Sequence, residues 1–194
     1  AAEADPLGRK AGCQAEISFI LAREADCSVA LQALREGRLP LRVTHNDTKL
    51  NNVLMDEKTG EGVCIIDLDT VMPGLSINDF GDSIRFGANH CAEDERDLSK
   101  VSLDLQLFAL YTQAFLEGAG GTLTDEEIAY LPWGAKLMTL ECGMRFLTDH
   151  LEGDVYFHTS RAGQNLDRCR TQCKLVADME AHWDEMKSIV EKYR

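Results

Sequence analysis

The chain lacks an excess of positive charge. Its 20 Lys and Arg residues stand against 33 Asp and Glu residues, which gives a formal net charge of −13 at pH 7. A nucleic acid or an anionic membrane would repel such a chain, and no local basic patch offsets the repulsion. No apolar run approaches the roughly 18 residues that a membrane-spanning helix needs, and the first residues, AAEADPLGRK, lack the layout of a signal peptide. We therefore predict no nucleic-acid partner, no membrane partner and a cytoplasmic location.

Paired cysteine motifs and low-complexity linkers are also absent. The seven cysteines form no CxxC pair, and most lie within apolar patterns. Such cysteines are typical of reduced residues in a hydrophobic core. The 194 residues include 44% hydrophobic and 27% charged residues, as in ordinary globular proteins. We expect a single domain, residues 1–194, with one core.

The first part of the chain predicts a helix followed by a β-hairpin. Helix-favouring residues with partial 3.6-residue periodicity run from Ala15 to Glu36, and Gly37 ends them. LRVT, residues 41–44, is a short extended run. NVLMD and VCIID, joined by the turn EKTGEG, predict two strands at 52–56 and 63–67. These strands form a small hairpin.

Everything after about Asp79 predicts helices. Leu98 to Phe115 mark one amphipathic helix ending near Gly118, and a capping-box sequence at 124–127 starts a short helix. Pro132 separates that short helix from a longer one, and a final helix follows from Leu166 to Val190. The predicted fold class is therefore α+β, mainly α.

The stretch VTHNDTKLNNVL concentrates polar side chains at the entry to the hairpin. His45, Asp47 and Asn52 lie on the entering loop, while Asp67 and Asp69 lie where the second strand ends. A hairpin brings these two points together, and gathered oxygen ligands suit Mg²⁺ and phosphoryl transfer. Asn and Asp are also common turn residues. Turn chemistry does not require the whole set, so the set favours an active site.

HNDTKLNN, VCIIDLDT and SINDFGDSIR together resemble the aminoglycoside phosphotransferase and choline kinase family, whose fold is related to that of the protein kinases. HNDTKLNNVL, DLDTVMPG and RAGQNLDRCRTQ are most similar to the N-acetylhexosamine 1-kinases of that family. The resemblance spans roughly residues 15–193. It implies the C-terminal lobe of a kinase-like fold, in which the hairpin carries the catalytic and metal loops, with Mg²⁺ as cofactor and ATP as co-substrate.

The resemblance also implies roles for five residues. Asp47 would be the catalytic base, and His45 would orient the catalytic loop. Asp79, in SINDFGDSIR, would support that loop from the next helix. Asn52 and Asp67 would be the Mg²⁺ ligands.

The nucleotide side of the predicted site is less complete. Lys49 either reaches a phosphate or is a solvated loop cation, and Asp69 is a candidate for contacting the sugar or the water around the metal. The family also holds its nucleotide with a Gly-rich loop and a strand lysine, and neither pattern precedes His45. We therefore expect a C-terminal lobe without its N-terminal nucleotide-binding lobe, nearly inactive by itself.

The sugar would bind against the C-terminal helices. Arg145, Tyr156 and Trp183 are candidates, because a guanidinium can donate to several hydroxyls while an aromatic plane covers the C–H face of a sugar ring. Structural roles compete with this interpretation, since Arg145 has Asp149 one helical turn away and Trp183 lies on an apolar stripe. Weaker candidates on the final helix are Arg161, Asn165 and Arg168.

The leading hypothesis is the catalytic lobe of a kinase that phosphorylates the anomeric hydroxyl of an N-acetylhexosamine. A kinase for another acceptor, such as an aminoglycoside, choline or homoserine, is an alternative. The acidic net charge slightly favours a cationic acceptor, whereas the sequence motifs favour a sugar more strongly. A non-catalytic module that binds a sugar or a partner is a third hypothesis. A missing lobe would expose apolar surface, which makes a homodimer a further expectation.

Overall fold

The computed structural model describes all residues, 1–194, as eight α-helices and four short strands. The helices are α1 (Gln14–Leu21), α2 (Val29–Arg35), α3 (Ser76–Gly87), α4 (Leu105–Ala119), α5 (Asp125–Ala129), α6 (Leu131–Glu152), α7 (Gln164–Ala181) and α8 (Trp183–Tyr193). The strands are β1 (Arg42–Thr44), β2 (Val53–Met55), β3 (Gly62–Ile65) and β4 (Met72–Gly74). This content confirms the predicted α+β, mainly α, class. None of the helices has the length and apolar character needed to cross a membrane.

The strands form two separate two-stranded antiparallel sheets. β2 pairs with β3, as predicted, with Val53 opposite Ile65. β1 pairs with β4, with Arg42 opposite Gly74. A side chain at Gly74 would collide with the hydroxyl of Thr44, so glycine permits this close pairing. The two sheets hold the loop between β1 and β2 and the turn between β3 and β4.

The core lies between the long helices. α6 packs against both α3 and α7, and α3 and α6 approach so closely at Gly81 and Gly134 that a Cβ at either position would meet the backbone of the other helix. Phe80 of α3 lies edge-on to Phe108 of α4, with ring centroids 5.8 Å apart. Around these residues pack the buried side chains of Ile77, Ile84, Leu131, Leu175, Met179 and Met186.

Cysteine burial differs from the prediction. All seven thiols are free, but only Cys13, Cys142 and Cys169 are buried, while Cys27 and Cys64 are exposed. Cys64 lies on the hairpin, whose side chains are exposed throughout β3. An apolar sequence pattern therefore does not guarantee burial in this small sheet.

The predicted helix from Ala15 to Glu36 is wrong as a single element. α1 ends at Leu21, a 3₁₀ turn covers Glu24–Ser28, and α2 follows. The guanidinium of Arg23 donates to the carbonyl of Phe19 at 2.8 Å and to the carboxylate of Glu180 at 2.9 Å. The polar residues between the two apolar segments thus cap α1 and fasten it to α7.

Two other helix boundaries differ from the prediction. Leu98 belongs to a 3₁₀ turn, and α4 begins only at Leu105, because the Asp104 side chain accepts the N–H groups of the first turn. α4 ends at Ala119, one residue beyond the predicted end. The final helix is two helices, α7 and α8, separated at His182, whose ring lies 2.9 Å from the carbonyl oxygen of Asp178.

The predicted capping box at the start of α5 is confirmed, and it is part of a larger network. Thr124 Oγ1 accepts the N–H of Glu127, and Glu127 Oε2 accepts the N–H of Thr124. The buried Glu127 carboxylate also accepts hydrogen bonds from Arg42 at 2.7 and 2.9 Å and from the Ser76 hydroxyl at 2.8 Å. Burial alone would raise the pKa of Glu127, but these bonds outweigh it and lower the pKa to about 2. Glu127 therefore joins α5 to β1 and α3.

We expect Glu127→Gln to destabilise the fold by about 1–3 kcal/mol at pH 7, because the charged acceptor is lost. The Glu127 pKa lies below its ordinary value of 4.5, so its stabilisation is present above that pH and is lost as the pH falls toward the folded-state pKa. Urea unfolding between about pH 7 and pH 2 should therefore show the difference between wild type and variant shrinking with acidification. A difference that stays constant with pH would contradict this account.

Candidate active site

The predicted catalytic loop, residues 45–52, is fastened to the first turn of α3. Asp79 Oδ2 accepts the N–H of His45 at 2.8 Å, and Asp79 Oδ1 accepts the N–H of Asn46 at 2.7 Å. The hydroxyl of Thr48 donates to the main-chain oxygen of Asp79 at 2.6 Å. The Asn46 backbone is left-handed, with φ 63°. One carboxylate thus holds a sharply bent part of the loop.

His45 links this loop to the end of β3. The N–H of Asp47 donates to His45 Nδ1 at 3.3 Å, so the proton of the neutral ring lies on Nε2, which contacts the Ile66 carbonyl oxygen at 3.0 Å. The Thr70 hydroxyl donates to the carbonyl oxygen of His45 at 2.6 Å. His45 is therefore placed to orient the two segments that carry Asp47 and Asp67.

The Asp47 carboxylate is held from one side and free on the other. Its Oδ2 accepts hydrogen bonds from Lys49 Nζ at 2.7 Å and from Asn52 Nδ2 at 2.9 Å, while its Oδ1 accepts none. Partial burial raises the pKa of Asp47, but the bonds from Lys49 and Asn52 outweigh that effect and hold the pKa below its usual range. Asp47 is thus an ionised carboxylate with one oxygen available to a ligand.

Asn52 and Asp67 are brought next to each other by the β2–β3 hairpin. The N–H of Ile66 donates to the main-chain oxygen of Asn52 at 2.9 Å, and Asp67 follows directly. The Asn52 side chain is buried. Its Nδ2 donates to Asp47, whereas its Oδ1 accepts no hydrogen bond. Asp67 is exposed, has a left-handed backbone and makes no ion pair. These two free oxygen donors fit an ion that completes its shell with phosphate and water.

Such a donor set is sparse. The chain has no group of three or more His, Cys, Asp and Glu side chains arranged to hold a metal ion. Mg²⁺ binds through one or two protein oxygens together with substrate phosphates, whereas Zn²⁺ needs a fuller set of protein ligands. Asn52 and Asp67 therefore suit Mg²⁺ and do not suit Zn²⁺.

A polar cleft of about 510 Å³ is lined by Asp47 and Lys49 together with Arg145 and Tyr156. The Arg145 guanidinium carbon lies 5.6 Å from the centroid of the Tyr156 ring, and its Nη2 lies 3.4 Å from the Tyr156 hydroxyl. The alternative role for Arg145, an ion pair with Asp149, is absent; Arg145 Nη1 lies 3.7 Å from Glu141 Oε1 instead. Four predicted site residues thus share one cleft.

The structure does not bring Trp183 or Asp69 to this cleft. The Trp183 ring packs edge-on against Trp133, with centroids 5.0 Å apart, as part of the main core. Trp133 precedes Arg145 by twelve residues on α6, which is about 18 Å along a helix. Asp69 is exposed on a 3₁₀ turn and does not line the cleft. Trp183 is therefore a packing residue.

Sequence reasoning missed several charged residues of the cleft. Arg85 donates to Asp82 Oδ1 at 3.1 Å and to Glu93 at 2.8 Å, and all three side chains line the cleft. Asp82 and Arg85 are three residues apart on α3, a spacing that places them on one helix face and that could have revealed them. Glu93 comes from a loop and has no such signal. Of the weaker candidates, Arg168 lines the cleft, whereas Arg161 and Asn165 do not.

An ionised Asp that pairs with Lys49, next to an Asn and an Asp at the two ends of a hairpin, is an arrangement compatible with phosphoryl transfer. The chain matches the model of the APH phosphotransferase enzyme family over residues 2–112. That match covers more than half of the chain and includes the catalytic loop, the hairpin and Asp79. The chain therefore belongs to the phosphotransferase enzyme family, and this membership indicates a kinase-like phosphotransferase.

We expect Asp67→Asn to weaken Mn²⁺ binding by roughly 10-fold or more, since even outer partners of metal ligands contribute that much. The melting temperature should stay unchanged, because Asp67 is exposed and unpaired. Mn²⁺ titration followed by electron paramagnetic resonance measures the first effect. Glu57→Gln is the matched control, because Glu57 is also an exposed acid of the hairpin but lies in the turn between β2 and β3. Equal weakening in both variants would remove the assignment of Asp67.

Proposed function

We propose that this chain is the C-terminal, catalytic lobe of an ATP-dependent small-molecule kinase that phosphorylates the anomeric hydroxyl of an N-acetylhexosamine. One observation carries the proposal. Asp47 keeps Oδ1 free beside a cleft that Arg145 and Tyr156 also line. A hydroxyl bound between these residues would lie within reach of a proton acceptor.

Asp47 would accept the proton of the acceptor hydroxyl at Oδ1 as the phosphoryl group arrives. Lys49 and Asn52 hold the other oxygen, which fixes the carboxylate and favours its ionised form. His45 and Asp79 would act by keeping the loop in place. When bound with ATP at Asn52 and Asp67, Mg²⁺ would neutralise phosphate charge.

The charge of the cleft supports a neutral acceptor. Its lining contains four Asp and Glu residues and four Lys and Arg residues, so these formal charges cancel in spite of the −13 of the whole chain. The carboxylates are Asp47, Asp82, Glu93 and Glu141, the Lys and Arg residues are Lys49, Arg85, Arg145 and Arg168, and His158 also lines the cleft. A polycationic aminoglycoside gains little from such a lining.

The aromatic residues of the cleft also disfavour choline. The Arg145 guanidinium carbon lies 5.6 Å from the Tyr156 ring centroid and 5.4 Å from that of Phe157. A quaternary ammonium ligand needs such aromatic rings for itself and would be repelled by the guanidinium. A sugar can instead accept hydrogen bonds from Arg145, which favours a hydroxyl-rich acceptor.

We expect isothermal titration of the chain to detect binding of N-acetylglucosamine or N-acetylgalactosamine and to detect neither choline nor kanamycin. Arg145→Gln should weaken sugar binding by roughly 10-fold or more, because charged hydrogen bonds are lost. Arg170→Gln is the matched control, since Arg170 pairs with Glu16 at 2.6 Å outside the cleft. Preferential binding of kanamycin or choline, or sugar binding unaffected by Arg145→Gln, would refute the proposed acceptor class.

A further inference from the structure

We propose that Asp149 is a positioning residue for the phosphate acceptor: its buried side chain holds the loop of residues 153–158 so that Tyr156 and Phe157 form one wall of the cleft. This inference rests on the proposed function, because it takes the cleft to be the acceptor site. Asp149 itself does not line the polar cleft. Its effect on the acceptor would therefore pass through the loop.

Asp149 accepts hydrogen bonds from five consecutive N–H groups of this loop. Its main-chain oxygen accepts the N–H groups of Gly153 at 3.0 Å and Asp154 at 2.8 Å. Its carboxylate accepts those of Val155 at 2.9 Å, Tyr156 at 2.8 Å and Phe157 at 3.0 Å. The chain beyond α6 thus wraps around a single acidic residue.

Asp149 is 4% exposed, and no Lys, Arg or His pairs with its carboxylate. A buried charge without a cation is costly unless hydrogen bonds satisfy it. Here burial raises the pKa, but the N–H groups of Phe157, Tyr156 and Val155 outweigh it and hold the pKa of Asp149 below its usual range. The charged form and the bent loop therefore stabilise each other.

Asn165, in the first turn of α7, completes the network. Its side chain is fully buried, and its Nδ2 donates to Asp149 at 2.8 Å and to Asp154 at 3.0 Å. Arg168 donates to its Oδ1 at 3.0 Å. Because Arg168 lines the cleft, the same network reaches the site from a second side.

Tyr156 has little packing of its own to fix it. Tyr156 is 73% exposed, and its neighbour Val155 is 76% exposed. Phe157 packs against Phe146 of α6 with centroids 4.7 Å apart, and Tyr156 lies edge-on to Phe157 at 4.8 Å. With so little apolar burial, backbone hydrogen bonding to Asp149 is the main restraint on the position of Tyr156 beside Arg145.

The test compares Asp149→Asn with wild type in three measurements on the whole chain. In the variant, the side-chain NH₂ group would face the N–H donors of the loop or of Asn165, and two donors cannot bond to each other. Hydrogen exchange at residues 155–157 should therefore accelerate. Binding of N-acetylglucosamine or N-acetylgalactosamine, whichever wild type binds more tightly, should weaken by roughly 10-fold or more. Mn²⁺ binding should stay unchanged, because Asn52 and Asp67 lie on the hairpin.

Asp178→Asn serves as the matched control. Asp178 is an acid on α7 whose carboxylate accepts the N–H of Leu103 at 2.7 Å, and it does not line the cleft. This variant should keep wild-type sugar affinity even where its stability falls. If Asp149→Asn fails to fold, Asn165→Ala removes the two bonds to Asp149 and Asp154 and should show the same selective loss to a smaller extent.

The outcomes separate this inference from the proposed function. Wild-type sugar affinity in both Asp149→Asn and Asn165→Ala would overturn the positioning role while leaving the proposed function standing. Equal losses of sugar and Mn²⁺ binding would also overturn it, since they would report general disruption. Absence of sugar binding in wild type would refute the proposed function and, with it, the acceptor role of this wall.

Discussion

The site depends on two hydrogen bonds, which the N–H groups of His45 and Asn46 donate to the Asp79 carboxylate. They tie the loop between β1 and β2 to α3, at 2.8 and 2.7 Å. The loop in turn fixes Asp47, and through His45 Nε2 it also meets the end of β3, next to Asp67. Because α3 packs closely on α6, the same anchor relates the catalytic loop to the helix that carries Arg145. A charged acceptor is well suited to this task, since hydrogen bonds to charged groups are the stronger ones.

Two loops beside the cleft are held by the same kind of hydrogen bonding. In each, a carboxylate accepts consecutive main-chain N–H groups: Asp79 under the catalytic loop and Asp149 under the loop that carries Tyr156. Neither carboxylate pairs with a cation, so each depends on the bent backbone around it. The side chains of the candidate site, by contrast, are paired with one another, as in Asp47 with Lys49 at 2.7 Å. The backbone hydrogen bonds thus fix the loops, and the side-chain pairs fix the charged groups that the loops carry.

Local patterns in the sequence predicted the parts that depend on local geometry. The hairpin followed from two short runs and a turn, and the spacing of His45, Asp47 and Asn52 placed them on one loop. The pairing of β1 with β4 was not predictable, because Arg42 and Gly74 are far apart in the sequence and each strand has three residues. Periodicity placed Trp183 on an apolar stripe but could not identify Trp133 as its neighbour. The hydrogen bonding of Asp149 to the loop was not predictable, because its partners there are main-chain N–H groups, which leave no trace in side-chain patterns.

Hydrogen exchange of Asp79→Asn, followed residue by residue by NMR, tests whether the Asp79 carboxylate holds the loop of residues 45–52. The variant keeps the size of the side chain but turns one acceptor oxygen into a donor. The amides of His45 and Asn46 should exchange roughly 10-fold faster or more, because a hydrogen bond to a half-buried charge is lost. Amides in the middle of α6 should keep their wild-type protection. Unchanged protection at His45 and Asn46 would contradict the claim that Asp79 holds the catalytic loop.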